Sequence, residues 1–194
     1  MPPIELPQSP TTLCDAADAA VRGSEEVQQI LRGERVVLLP PGGLSFLFVK
    51  ILLIAGTILL PGGHLFAVHD AGWGHEGMLW LMALGQAAGS SISIPGGLIV
   101  MGWKGAHPLM LRVTTGLLAV HVTSVVVAHV TPHEPGHQAV CWGGLAVMAL
   151  AWRTVRGPSY ALCAAVFRAK RAWLKQVRTR VPRVRKGRSK RRRR

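Results

Sequence analysis

The residues with the widest chemical reach in this chain are its eight histidines, six of which fall in two short stretches. One holds His64, His69 and His75, the other His129, His133 and His137. The run His129-Val-Thr-Pro-His133-Glu-Pro-Gly-His137 has metal-like spacing. Asp70 and Glu76, beside His69 and His75, would complete a shell for Zn, Cu or Ni. Pro132 and Pro135 oppose this, because they block the helical i, i+4 geometry that aims two rings at one ion. Neither an HExxH sequence nor a cysteine partner accompanies them. The expected reading is a pair of polar loops with no metal and no resident cofactor, His129, His133 and His137 being the fallback ligands. A pH-sensing role would use the same residues, but the pattern singles none of them out.

His121 stands inside an apolar run, where a polar side chain needs a partner. Gln86, Ser90 and Ser91 are the partners the sequence offers, and a packing histidine is the plainer alternative. Haem ligation would need matching histidines in facing spans, and the cores of the other predicted spans hold none. No nucleophile beside a base, no phosphate-cradling glycine loop and no carboxylate pair appears, so enzyme activity is not expected. Cys14, Cys141 and Cys163 lack metal-ligand spacing and cannot all pair, so free thiols are expected.

The other chemistry-bearing stretch is electrostatic. Residues 168–194 carry fifteen Lys or Arg and no Asp or Glu: Arg168, Lys170, Arg171, Lys175, Arg178, Arg180, Arg183, Arg185, Lys186, Arg188, Lys190, Arg191, Arg192, Arg193 and Arg194. The chain's net charge is +14; without these fifteen, residues 1–167 stand at −1. The basicity is therefore one terminal arm, suited to a polyanion, either nucleic acid or anionic lipid. Arg outnumbers Lys eleven to four in it, which favours bidentate phosphate contacts. Trp173 is its one aromatic, at the proximal end. Binding should then be directed at the backbone and tolerant of sequence.

The elements that must hold this arm are apolar. Hydrophobic residues make up 49% of the chain although the arm is almost wholly polar, so the middle must hold runs that can span a bilayer, about 20 residues each. The expected class is all-α: a polytopic membrane protein with about four transmembrane helices, at about 44–62, 78–103, 109–130 and 139–155. Residues 1–43 read as a lightly structured cytoplasmic segment with two short helices, one opened by Thr12 with Asp15 and one capped by Ser24. The first 30 residues lack both a basic start and an apolar run, so no cleavable signal peptide is expected. Lys50, near the start of span one, should reach back to the headgroups.

Pro-Gly-Gly recurs at 41–43, 61–63 and 95–97, and reads as a turn reused at the membrane surface. At Pro95 a kink or half-helix is expected. Gly85 and Gly89 form a GxxxG for close helix packing, within the chain or in a homo-oligomer. Gly157-Pro158 opens an amphipathic helix over 157–181, expected to lie in the membrane interface. Residues 182–194 should be a disordered polybasic tail. Lys and Arg flank alternate connections, so both termini are expected in the cytoplasm, with the protein in the inner membrane.

Four spans, small-residue packing and a cytoplasmic arginine-rich tail resemble the small hydrophobic spread proteins of conjugative plasmids in high-GC mycelial bacteria. The resemblance covers residues 44–194 in architecture and composition. It implies a membrane component that helps move plasmid DNA between cell compartments, as an oligomer beside a DNA translocase. The expected partners are thus the bilayer, DNA and a translocase. Two other classes compete: a scaffold whose arm binds anionic lipid, and a metal- or haem-handling membrane protein using the outer histidines.

Overall fold

The computed structural model describes residues 10–35, 37–70, 72, 74–130 and 135–180. Among these the chain forms seven helices and no strand: α1 (Pro10–Gly23), α2 (Glu25–Arg32), α3 (Gly43–Asp70), α4 (Gly74–Val100), α5 (Ala106–Val130), α6 (Pro135–Val155) and α7 (Pro158–Arg180). Three of them, over Gly43–Pro61, Gly74–Val100 and Ala106–Val130, are long and apolar enough to cross a membrane.

The reason is plain on α3. Phe46, Val49, Leu53 and Leu60 are buried on one side, while Leu44, Leu47, Ile51, Ile54 and Ile58 are exposed on the other. A helix apolar on both faces is solvated by hydrocarbon or by a large core. Lys50 behaves as its position requires, with its Nζ 5.2 Å over the Phe46 ring. That is one turn back toward the start of the helix, the direction in which helical side chains lean.

α3, α4, α5 and α6 form an antiparallel up-down-up-down bundle, with α6 packed between α3 and α5. The helix expected as the fourth span is present, but it is less apolar than the other three. α6 has 21 residues, but His137 and Gln138 at one end and Arg153 and Thr154 at the other shorten its apolar part. It therefore falls outside the set of helices that qualify by length and composition.

One correction concerns Pro-Gly-Gly. Only Pro41-Gly42-Gly43 is a turn, with Gly42 at φ 77°. Pro61 and Pro95 lie inside α3 and α4, which continue through them. Each proline removes one amide donor, a loss that a long apolar helix absorbs when neighbouring helices and hydroxyls assist. Near Pro95 the Ser91 and Ser93 hydroxyls donate to the Ala88 and Gly89 carbonyls at 2.7 and 2.9 Å.

The N-terminal segment is more organised than a light leader. Ser24 caps α2, accepting the Val27 amide at 3.4 Å. Glu25 and Glu26 then occupy the first turn, where the helix dipole favours acid. Gly33, at φ 78°, closes the helix. Ala17 and Val21 of α1 and Val27 and Leu31 of α2 form a small core with Ala161, Ala165 and Val166 of α7. The first half of α7 is thus covered by the protein itself, while Lys170, Ala172, Leu174, Lys175 and Arg178 on its second half are exposed.

Candidate functional site at the basic end of the bundle

The bundle's two ends differ in charge. All eight Lys and Arg of residues 1–167 belong to the N-terminal helices or fall at one end of the bundle, within about two turns of it. The opposite connections, 71–73 and 131–134, contain none.

α7 is seated across the basic end by two glycine turns. A Cβ on Gly42 would collide with the Ser159 carbonyl, and one on Gly102 (φ 71°) would lie 2.6 Å from the Phe167 carbonyl and 2.9 Å from Arg171 Cβ. Only glycine meets both the backbone angle and the close approach. From the other side Arg168 donates Nε and Nη2 hydrogen bonds to Asp18 Oδ1 at 3.1 and 2.8 Å. Its side chain is only 10% exposed. Arg168, counted with the arm in the sequence, is therefore committed to α1. Arg171 lies over the Trp103 ring at 5.8 Å, and Lys170, Lys175 and Arg178 are exposed. Arg180 ends α7; Arg183, Arg185, Lys186, Arg188, Lys190 and Arg191 to Arg194 lie outside the described residues.

Under this platform sits a pair that no local pattern announces. Cys14 Sγ is 3.1 Å from His107 Nδ1, and His107 Nε2 lies 3.0 Å from the Val155 carbonyl. A carbonyl only accepts, so Nε2–H donates to it and Nδ1 accepts a hydrogen bond from the Cys14 thiol. Cysteine beside an oriented imidazole is the geometry of nucleophilic catalysis. Burial, however, pushes the Cys14 thiol above its ordinary value despite the nearby Arg168 charge. The pair thus acts as a staple from α1 to the start of α5 and the end of α6. Tyr160, stacked 5.7 Å from His107, is buried with its hydroxyl unbonded among the described residues. Burial and the neighbouring Cys163 raise its pKa.

Deeper in the bundle, α5 places His107, Thr114, His121 and Ala128 seven residues apart on one buried face. His121 does not meet Gln86, Ser90 or Ser91; Gln86 and Ser90 are exposed. Its ring instead fills the space beside Gly144 of α6, with Gly56 of α3 near its Nε2. One turn on, His64 Nε2 is 3.0 Å from Ser124 Oγ, whose own hydroxyl donates to the Val120 carbonyl at 3.0 Å. His64 thus enters the same interface, because α3 runs on past Pro61. This corrects the expectation that His121 and His129 face no histidine from another span.

Among the described residues the outer histidines are not gathered, and the side chain of His69 lies outside the description. His129 Nδ1 is 3.2 Å from the Val125 carbonyl and its ring stands edge-on to Trp142. His137 is buried, 3.8 Å from Cys141 Sγ. His75 is exposed, and His133 lies outside the described residues. No group of three or more His, Cys, Asp or Glu that could hold a metal occurs among the described residues. Of the GxxxG pair, Gly85 packs near Pro61, whereas Gly89 has no neighbour within 4 Å of an added Cβ.

Comparison with protein-family models, curated proteins and solved structures gives no significant match for this chain.

Proposed function

We propose that this is a multi-pass inner-membrane protein that holds a basic arm at the cytoplasmic surface, with both termini on that side, and that the arm binds DNA through its phosphates. On this reading α6 completes a fourth crossing in company with α3 and α5. The protein acts as a non-enzymatic component in the transfer or spread of plasmid DNA, working as an oligomer beside a translocase.

The observation that carries the reading is the seating of α7. Gly42, Gly102 and the Arg168–Asp18 bonds anchor its first half. Lys170, Lys175 and Arg178 are exposed on its second half, and ten further basic residues follow them in the sequence. A fixed root with a dense cationic extension suits capture of a polyanion near a membrane surface.

The experiment is a gel shift with full-length protein in detergent and with a variant truncated after Arg180, which keeps Arg168 on Asp18. Retardation of duplex DNA that persists undiminished in the truncated variant would overturn the reading. Retention on anionic vesicles with no DNA shift in either protein would leave the lipid scaffold in its place.

A further inference from the structure

Between α2, the 37–43 connection, the start of α3 and α7 lies a cavity of about 400 Å³. Leu31, Phe46, Val166 and Phe167 line it, and Lys170 and Trp173 stand at its edge. The walls are almost wholly apolar, while the edge carries a cation and an indole. Ligand pockets commonly measure about 300–1,000 Å³, so this one takes a single slender apolar ligand.

Three features say what that ligand is. First, the cavity is continuous with the apolar outer face of α3. Leu47 lines the cavity and is 43% exposed, and Leu44 and Phe48 beside it are 74% and 44% exposed. An occupant can therefore enter from the hydrocarbon. Second, the cavity lies at the interface level. Lys50 leans back over Phe46, a cavity wall, and the Trp103 and Trp173 rings flank the same end of the bundle. Third, the charge at the mouth is unbalanced. Among the described residues no Asp or Glu lines the cavity, and Glu26 and Glu34, on and just after α2, are paired with Arg35 and Arg32 at 2.9 and 3.9 Å. Lys170 makes no ion pair among the described residues, and Lys175 and Arg178 continue the exposed positive surface along α7.

The geometry points to a site for one anionic phospholipid of the cytoplasmic leaflet. One acyl chain lies between α3 and α7 against Phe46 and Phe167, and the headgroup phosphate meets Lys170. Such a lipid wedges the root of α7 against the bundle, so the leaflet's composition sets how firmly the arm is presented. The site rests on the membrane setting and orientation proposed above and stands whether or not the arm binds DNA.

The test is native mass spectrometry of the full-length protein, equilibrated with equal amounts of phosphatidylglycerol and phosphatidylcholine of the same chain length. One phosphatidylglycerol per chain should be retained over phosphatidylcholine by about fivefold, the ratio a single lysine near an anionic headgroup supports. Excess inorganic phosphate should leave it in place, since the acyl chain provides most of the hold. Leu39→Trp and Leu47→Trp, both at partly exposed wall positions, should each abolish retention. Lys170→Gln should keep lipid but lose the preference. Equal retention of both lipids by the unaltered protein, retention of detergent only, or undiminished phosphatidylglycerol in both tryptophan variants would each overturn the site.

Discussion

The His121 ring occupies the space that a side chain at Gly144 would fill: an added Cβ would lie 2.8 Å from both its Cε1 and its Nδ1. A distance below 3.0 Å cannot stand, so either the imidazole or α6 must shift. The same interface has a second such pair. A Cβ on Gly56 of α3 would meet Met148 Sδ within van der Waals overlap. Close contact among α3, α5 and α6 is thus obtained by absent side chains facing large buried ones, which is how helices associate where hydrocarbon surrounds them.

Gly144→Ala should therefore destabilise the bundle by about 1–3 kcal/mol, the usual cost of overpacking a close-packed interior. His121→Ala alone should also destabilise, by leaving a cavity. The two together should cost less than their sum, since removing the ring frees the space the new methyl needs. Thermal unfolding in detergent of the two single variants and the double variant measures this coupling. Strict additivity would show that the ring and the glycine do not share the site.

Arg168→Ala should loosen α1 from α7. Hydrogen bonds to charged groups contribute about 1.5–3 kcal/mol. Asp18 is 37% exposed, so solvent screening brings the expected loss to about 1–2 kcal/mol. Limited proteolysis should then cut between α1 and α3 sooner than in the parent protein, while α3–α6 stay protected. Gly102→Ala should produce the same exposure of α7 from the other side. An unchanged digestion pattern in both variants would contradict the seating described above.

Much of this architecture was readable in advance, for physical reasons. Long apolar stretches and the charge of the connections need no tertiary knowledge, so α3, α4 and α5 and the basic end emerged from composition. Ser24 and Gly33 marked α2 through local cap chemistry. The misreadings came where tertiary packing outvoted local signals. Pro61-Gly-Gly reads as a turn and Pro95 as a kink within span two, and both prolines lie inside helices that continue past them. A first span over about 44–62 leaves His64 just beyond it, whereas α3 continues to Asp70 and brings His64 to the Ser124 hydroxyl. The face that α1 turns to α7 mixes Leu13, Ala17 and Val21 with Asp18, a weak apolar pattern for a buried helix. The Cys14–His107 contact joins residues 93 apart in sequence, and no motif of that span exists to find.

The cysteines of the α1–α7 layer should be slow to react at neutral pH. Burial pushes the Cys163 thiol up to about 11 and raises that of Cys14. The thiolate is the reactive form, so maleimide or iodoacetamide at pH 7 should label the denatured protein far faster than the folded one. Stability should follow the same linkage. Cys163 keeps its proton in the folded state up to about 11, whereas an exposed thiol loses it from about 9. Between those values the unfolded chain binds fewer protons, so stability falls as pH rises. The contribution is complete below 9 and gone above 11. Cys163→Ala should be less stable overall, with a flatter profile across that window.

Salt dependence tests the proposed engagement of DNA by the arm. Each phosphate neutralised by Lys or Arg adds about 0.9 to the slope of log affinity against log salt on duplex DNA. Lys175→Gln with Arg178→Gln removes two exposed cations from α7. If both touch phosphate, the slope should fall by about 1.8. Truncation after Arg180 removes nine basic residues and should lower the slope by several times that. Arg168→Ala should change it little, because its guanidinium is already held by Asp18 at 2.8 Å. A scrambled-sequence duplex should give the same slopes, as expected for contacts that carry no base information. Equal slopes for the intact and truncated proteins would mean that the cations beyond α7 never reach the duplex. The arm's density of charge would then have to be explained by the membrane surface instead.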